Sequence, residues 1–137
     1  MKPRNKKPAG VATYYNAQAK DYSVQYQPDT LKDLTKGYPA NYFRLQMLLN
    51  SFVAKNIKKV VEIGVGEGTP LSTLAKAGID VWGCDIAEEM VKRSKEALRK
   101  NKLDPNRIFQ ADIQDATTYA ALLKAGPFDG LMAMGVM

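Results

Sequence analysis

The stretch Val60-Val61-Glu62-Ile63-Gly64-Val65-Gly66-Glu67-Gly68 decides the fold of this chain. Its first four residues are β-branched apart from Glu62, and such an apolar run predicts a strand that is buried on both faces, as in a parallel sheet. Three glycines at alternate positions follow it. Glycine permits backbone angles that other residues avoid, and it lets a ligand approach the main chain closely. The stretch therefore predicts a ligand-binding loop at the carboxyl end of a central strand.

The segments around this stretch predict alternating helices and strands. Before it, a helix begins at Pro39 and carries apolar residues at the i, i+3, i+4 and i+7 positions, which are Leu45, Leu48, Leu49 and Phe52. After it, the predicted order is a helix from Pro70, a strand over 79–84, a helix over 88–102, a strand over 107–111, a short helix over 119–124 and a strand over 128–134. This alternation predicts an α/β fold with a doubly wound parallel sheet.

Composition excludes several classes of function. The 137 residues are 45% hydrophobic and 25% charged, as is ordinary for a globular protein, and no apolar run approaches the roughly 20 residues that span a bilayer. Because the chain has no histidine, Ser-His-Asp catalysis and His-ligated metals are excluded, and we expect no metal site. The single cysteine, Cys84, agrees with a reducing compartment. With no secretory signal at its start, the chain is expected to be cytoplasmic and to have no membrane partner.

The positive charge is concentrated at the start of the chain. Of the 20 basic residues behind the net charge of +6, four lie within the first seven positions, namely Lys2, Arg4, Lys6 and Lys7. The remainder is nearly neutral, with 16 basic residues against 14 acidic ones. We therefore expect a disordered, solvating tail and no nucleic-acid partner.

The spacing of the glycines discriminates between two kinds of ligand. A dinucleotide fingerprint, G-x-G-x-x-G, needs its third glycine at position 69, where this chain has Thr69. The third glycine comes early, at Gly68, and Glu67 would place a negative charge beside a pyrophosphate. Asp85 follows Gly64 by 21 residues, the distance at which an acidic residue accepts hydrogen bonds from ribose hydroxyls. These residues indicate a ligand that carries a ribose and no phosphate.

Four motifs in order resemble those of the class I S-adenosylmethionine-dependent methyltransferases. They are the loop Glu62-x-Gly64-x-Gly66-x-Gly68, Asp85 at the second strand end, Asp112 at the third strand end, and Phe128-Asp129-Gly130 at the start of the fourth strand. The resemblance extends over nearly the whole chain. It implies a Rossmann-like methyltransferase fold, S-adenosylmethionine as the cofactor and methyl transfer as the activity.

The resemblance implies roles at the methionine and ribose end of the cofactor. Glu62 would orient the loop and approach the methionine amino group, while the backbone at Gly64, Gly66 and Gly68 would lie against the methionine and ribose. Asp85 would hold the ribose hydroxyls. From the residues alone, Asp85 could instead cap the helix that follows it.

The resemblance also implies roles at the adenine end. Ile86 would pack on one adenine face, Asp112 would accept from the exocyclic amine, and Ile113 would supply apolar contact. Asp112 could instead be a turn residue. Tyr15 or Tyr22, from the N-terminal segment, could close over the cofactor or simply pack in the core.

The chain is expected to have three parts. Residues 1–10 would be the disordered basic tail, residues 11–56 an N-terminal helical cap or lid, and residues 57–137 the cofactor-binding α/β portion. Members of the family continue past the fourth strand, so we expect a fold truncated there and a piece of a longer protein. The fourth strand would then offer an unpaired apolar edge for self-association. The catalytic residues stay unknown, since the groups that grip the acceptor commonly lie in the missing half.

Several functions stay open on sequence alone. The near-neutral remainder of the chain favours a small-molecule methyl acceptor. The alternatives are an RNA methyltransferase that uses the basic tail, an NAD-dependent oxidoreductase, and a non-catalytic partner-binding module.

Overall fold

The computed structural model describes residues 8–22 and 39–134. Within these ranges the helices and strands alternate as the sequence predicts. The elements are α1 (Pro8–Tyr22), α2 (Pro39–Ala54), β1 (Lys59–Ile63), α3 (Thr69–Lys76), β2 (Asp80–Asp85), α4 (Glu88–Lys100), a 3₁₀ turn (Pro105–Arg107), β3 (Ile108–Gln110), α5 (Ala120–Ala125) and β4 (Gly130–Met132).

The four strands form one parallel sheet in the order β3-β2-β1-β4. At the centre, Val61 of β1 lies opposite Trp82 of β2 on one side and Leu131 of β4 on the other. The chain moves outward from β1 through β2 to β3 and then returns to place β4 on the far side of β1. Where the strand order reverses, the carboxyl ends of the strands border a crevice, and open α/β sheets bind ligands there. The predicted α/β parallel sheet is confirmed.

Helices cover both faces of the sheet. The larger apolar cluster lies on the face covered by α2, α3 and α4, and its buried members include Val60, Leu71, Leu74, Val81, Leu98 and Ile108. The predicted apolar face of α2 packs there, with Leu48, Leu49 and Phe52 against this cluster. On the opposite face Leu122 of α5 packs with Val61 and Cys84. The arrangement is doubly wound, as predicted.

Three elements are shorter than predicted. The helix over 88–102 ends at Lys100, the strand over 107–111 is Ile108–Gln110, and the strand over 128–134 is Gly130–Met132. The late start of β4 has a visible cause. The Asp129 carboxylate accepts hydrogen bonds from the amides of Lys58 and Lys59, both at 3.0 Å. The residue before β4 thus anchors the start of β1 through its side chain.

The N-terminal segment docks on the start of α4. Ala19 of α1 is buried with Ala87 and Met90. The Asn16 side-chain oxygen accepts a hydrogen bond from the Glu89 amide at 3.0 Å. Since Ala87 at the start of α4 has no side-chain cap of its own, α1 supplies the acceptor that this helix end lacks. This tertiary cap fixes α1 beside the carboxyl end of β2.

Parts of the expected domain organisation lie outside the described residues. These are positions 1–7 of the basic tail and positions 23–38 of the helical segment. α1 already begins at Pro8, inside the segment 1–10 that was expected as a tail. The three-part division stays a prediction.

In the described part of the sheet, β4 is an edge strand. Leu131 on this strand is 64% exposed, which is unusual for a leucine in a parallel sheet. Self-association through this edge stays a prediction. None of the described helices is both long and apolar enough to cross a membrane.

Two glycines with left-handed backbone angles differ in their surroundings. At Gly68, with φ 92°, an added Cβ would lie 2.8 Å from the Cα of Ser94 in α4. At Gly78, with φ 86°, an added Cβ would meet nothing within 4 Å. Both positions favour glycine for backbone reasons, and Gly68 also requires it for the close approach of the loop to α4.

We therefore expect Gly68→Ala to destabilise the protein more than Gly78→Ala. The Gly78 variant should cost about 1 kcal/mol from the left-handed conformation alone. The Gly68 variant should cost roughly 2–4 kcal/mol because overpacking against Ser94 adds to the same strain. Urea unfolding of both variants measures the difference, and equal costs would show that the loop does not press on α4 as described.

Candidate cofactor-binding site

The glycine loop is tied to the neighbouring strand and leaves space beside Gly66. The amides of Gly64 and Val65 both donate to the Cys84 carbonyl, at 2.8 and 3.0 Å, so the loop starts as a continuation of the sheet. Gly66 has φ 57°, and an added Cβ there would meet nothing within 4 Å. The open space beside Gly66 would let a ligand approach the main chain closely, as the glycine pattern predicts.

Asp85 joins this loop to the start of α4. Its Oδ2 accepts from the Gly66 amide at 3.0 Å, and its Oδ1 accepts from the Ala87 amide at 2.9 Å. Burial raises the pKa of the Asp85 carboxyl, and the hydrogen bonds from Ala87 and Gly66 partly offset that rise. The alternative in which Asp85 is the N-cap residue is not what the structure shows, because Ala87 occupies that position. Asp85 instead holds two loops together at the strand ends.

Glu62 is a buried carboxyl at the end of β1. It is 1% exposed, and its Oε2 makes no hydrogen bond within the described ranges. The pKa of Glu62 is raised well above its usual value, first by burial and then by the negative charges of Asp85 and Glu67. Three carboxyl groups therefore meet in one corner, and no salt bridge between described residues neutralises them. A positively charged group of a ligand would satisfy this corner.

Glu67 has a local role as well. Its Oε1 accepts from the Thr69 amide at 3.0 Å, and its side chain is buried. The carboxylate therefore satisfies a free amide in the first turn of α3 and places negative charge at the positive end of that helix. Thr69, which stands where a dinucleotide fingerprint would have its third glycine, thus makes a hydrogen bond within the loop through its amide.

A second part of the site lies at the carboxyl ends of β2 and β3. A cavity of about 260 Å³ is lined by Ile86, Gln110, Ala111, Asp112 and Thr118. It brings together two residues predicted at the adenine end, Ile86 for one face of the ring and Asp112 for the exocyclic amine. The Gln110 side-chain amide donates to the Ile86 carbonyl at 3.3 Å and so closes one wall.

Asp112 is a turn residue that also faces the cavity. Its Oδ1 accepts from the Gln114 amide at 2.9 Å, so the turn alternative is correct for one oxygen. Among the described residues no hydrogen bond engages its Oδ2. Ile113 is 51% exposed and does not line the cavity.

One of the two tyrosines predicted as a lid, Tyr15, lies near the site. It is half-buried against a cluster that includes Ala87, two residues after Asp85, and Met90. Its ring stands edge-on to that of Tyr14, with centroids 5.2 Å apart. Tyr22 is the last residue of α1, and its side chain lies outside the described residues. The lid role of both tyrosines stays a prediction.

Sequence reasoning missed Gly83, Gln110 and Thr118. A Cβ on Gly83 would lie 2.2 Å from a methyl carbon of Val65, so the glycine loop could not sit on β2 without it. A glycine inside an apolar strand signals such a close approach and could have indicated it. The two polar residues carried no comparable signal, because their contacts depend on how the loops fold.

Cys84 is not a reactive group of this site. Burial is the main cause that raises the pKa of its thiol to about 11, so the sulfur stays protonated near neutral pH.

The fold and the site define a class of protein. A doubly wound sheet whose strand ends carry a glycine loop and two acidic residues is a nucleoside-cofactor domain. Residues 60–137 match the family model described as a methyltransferase domain. The chain belongs to this family, the class I S-adenosylmethionine-dependent methyltransferases. The resemblance drawn from the motifs is confirmed, and the family match decides against the NAD-dependent alternative.

Two curated relatives match part of the chain. Protein-L-isoaspartate O-methyltransferase of Nitrosomonas eutropha is 32% identical over 94 residues, which are 69% of this chain and 40% of the relative. Release factor glutamine methyltransferase of Dictyoglomus turgidum is 34% identical over 61 residues, which are 43% of this chain and 22% of the relative. The chain thus spans less than half the length of either relative.

A solved structure shows the same fold over nearly the whole chain. Magnesium protoporphyrin IX methyltransferase from Synechocystis PCC 6803, solved with bound S-adenosylmethionine, matches with a TM-score of 0.70. The match covers 99% of this chain and 65% of that protein at 19% identity. At this identity the likeness concerns the fold alone.

We expect Glu62→Gln to stabilise the free protein at neutral pH. Below the ordinary pKa of a glutamic acid, both the folded and the unfolded states carry the proton and burial of the charge costs nothing. As pH rises, the unfolded state ionises first, so the folded state loses stability up to the raised pKa of Glu62. The variant removes this loss and should gain on the order of 1 kcal/mol at pH 7 and little at pH 4.

Thermal or urea unfolding at both pH values measures this effect. Glu88→Gln is the matched control, because the Glu88 side chain is 63% exposed and forms an exposed ion pair with Lys92. A Glu62 variant that is less stable than the parent at pH 7 would mean that an unseen partner holds the carboxylate.

Proposed function

We propose that this chain is the cofactor-binding portion of an enzyme that transfers a methyl group from S-adenosylmethionine to a small-molecule acceptor. The observation that carries the proposal is the buried carboxyl of Glu62 at the end of β1, whose Oε2 has no hydrogen-bond partner among the described residues and which lies near the open space at Gly66. A protein rarely keeps such a carboxyl unless a ligand compensates it.

The corner of Glu62, Glu67 and Asp85 fits the amino-acid end of the cofactor. The α-ammonium group carries the positive charge that three carboxyls lack. The pKa values of Glu62 and Asp85 are both raised, and a nearby cation would lower both. The raised values therefore agree with a site for a positively charged group. We assign Glu62 to the ammonium group and the main chain at Gly64 and Gly66 to the methionine and ribose.

Asp85 is assigned to the ribose hydroxyls. Each of its oxygens accepts one backbone amide at present, and a carboxylate oxygen has a further lone pair. The two amides fix the carboxylate in place, so it can accept from a diol without further ordering. Short bonds of this charge-assisted kind are strong and directional.

The 260 Å³ cavity between β2 and β3 is assigned to the adenine. Ile86 offers an apolar wall and Asp112 an acceptor for the exocyclic amine. Ile113, the exposed residue after Asp112, is assigned an apolar contact with the ligand. The lid role of Tyr15 or Tyr22 belongs to the same proposal. It is supported by the packing of Tyr15 against Ala87, two residues after Asp85.

When bound, the cofactor supplies a methyl group on a positively charged sulfur. The residues of this chain hold the donor in one orientation and present it at the carboxyl edge of the sheet. Transfer to an aligned acceptor needs proximity and orientation above all, and these effects can supply a large part of the rate. A small-molecule acceptor is supported by the near-neutral charge of the chain beyond residue 7.

Calorimetric titration of the chain with S-adenosylhomocysteine tests the proposal. We expect saturable binding, and at 100 times the dissociation constant the ligand should stabilise the fold by about 2.7 kcal/mol. Asp85→Asn should weaken binding by about tenfold or more, because an amide nitrogen would replace one acceptor for the ribose and repel a loop amide.

Asp115→Asn is the matched control. Asp115 lies in the loop after β3, where its carboxylate accepts from Thr117, and it does not line the cavity. Its variant should bind like the parent. No binding by the parent chain, or equal affinities of the parent and the Asp85 variant, would contradict the proposal.

A further inference from the structure

The Thr118 hydroxyl contacts three backbone groups in the loop after β3. Thr118 Oγ1 accepts a hydrogen bond from the Asp112 amide at 2.9 Å. The same oxygen lies 2.9 Å from the Asp112 carbonyl oxygen and 2.8 Å from that of Asp115. A hydroxyl has a single hydrogen, so its donation is shared between these two carbonyls.

This arrangement restrains Asp112 on both sides of its Cα. The amide nitrogen and the carbonyl oxygen of one residue contact the same threonine oxygen. Rotation about either backbone bond of Asp112 would break one of the two contacts. Thr118 therefore helps to set the direction of the Asp112 Cβ, together with the Asp115 amide, which donates to the Asp112 carbonyl at 2.9 Å. The Asp112 carboxyl is held further by the Gln114 amide on Oδ1, while Oδ2 has no partner among the described residues.

We propose that Thr118 is a positioning residue that sets the selectivity of this site for adenine over a purine with oxygen at the same ring position. Thr118 lines the same cavity as Asp112, so it would lie next to the bound ligand. The inference rests on the proposed function, because it takes the cavity to be the adenine site.

The selectivity follows from the inventory of donors and acceptors. The exocyclic amine of adenine donates a hydrogen bond, which a fixed carboxylate oxygen accepts. Hypoxanthine places a carbonyl oxygen there, so two acceptors would face each other and a desolvated carboxylate would lose its partner. A carboxylate that is free to turn away would avoid this conflict, and the preference for adenine would disappear.

Thr117 provides a matched control in the same loop. Its hydroxyl donates to Asp115 Oδ1 at 2.7 Å, no hydrogen bond among the described residues joins it to Asp112, and it does not line the cavity. Both threonines are exposed, so replacing either hydroxyl by a methyl group should leave the apolar core intact.

The test compares two ligands on the 137-residue chain by calorimetry. They are S-adenosylhomocysteine and S-inosylhomocysteine; in the second a carbonyl oxygen replaces the exocyclic amine, and the neighbouring ring nitrogen carries a hydrogen. The parent chain should prefer the adenosyl ligand by about tenfold or more. Thr118→Val should reduce this preference to about threefold or less, mainly by weakening the adenosyl ligand, whereas Thr118→Ser and Thr117→Val should keep it.

The outcomes separate the two proposals. A Thr118→Val variant that retains the parent's preference, or that loses affinity for both ligands equally, would overturn the positioning role of Thr118. A parent chain that binds both ligands equally would overturn the inference while leaving the proposed function in place. A parent chain that binds neither would overturn both. Circular dichroism of each variant confirms that the fold is unchanged.

Discussion

The Asp85 carboxylate is the contact on which the rest of the site depends. It accepts one amide from the glycine loop after β1 and another from the start of α4, so a single side chain fixes two loops that come from different strand ends. The main chain around Gly66 is thereby kept open, with no atom within 4 Å of where a side chain would begin. The second carboxyl of the corner, Glu62, is buried, and its Oε2 has no partner among the described residues. The fold thus maintains an arrangement of carboxyl groups that is electrostatically unfavourable.

This arrangement has a cost in stability and a gain in binding. A carboxyl whose pKa is raised by burial makes the folded state less stable at neutral pH than a neutral amide would. Proteins keep such groups at functional sites, where the ligand compensates the charge. The apolar clusters on both faces of the sheet offset this cost in stability, and the close contact of Gly68 with Ser94 holds the loop against α4. These contacts fix the corner of Glu62, Glu67 and Asp85 in the absence of a ligand.

The sequence predicts the features that depend on local pattern. The apolar run before Gly64, the helix face of α2 and the acidic residues at strand ends are encoded by spacing, and the structure has them where they were expected. The sequence predicts the bounds of β3 and β4 less accurately, because side-chain contacts such as those of Asp129 decide where a short strand begins. The cap that Asn16 supplies to α4 joins residues 73 positions apart, and no local pattern encodes such a pair.

The same distinction holds within the site. Ile86 and Asp112 could be predicted because they follow strand ends, and they line one cavity in the structure. Gln110 and Thr118 complete that cavity through hydrogen bonds whose partners are set by the loop conformation. The requirement for Gly83 is visible only once Val65 is placed over β2. Spacing therefore predicts which strand ends form the candidate site, while the folded loops determine the contacts within it.

We infer that the raised pKa of Glu62 falls when the ammonium group of the ligand arrives beside Asp85 and Glu67. The most direct measurement is calorimetric titration with S-adenosylhomocysteine in buffers of different ionisation enthalpy, below neutral pH. Binding should release protons, so the observed heat should change linearly with the ionisation enthalpy of the buffer, and Glu62→Gln should reduce this slope. A binding heat that is the same in every buffer would contradict this role of Glu62.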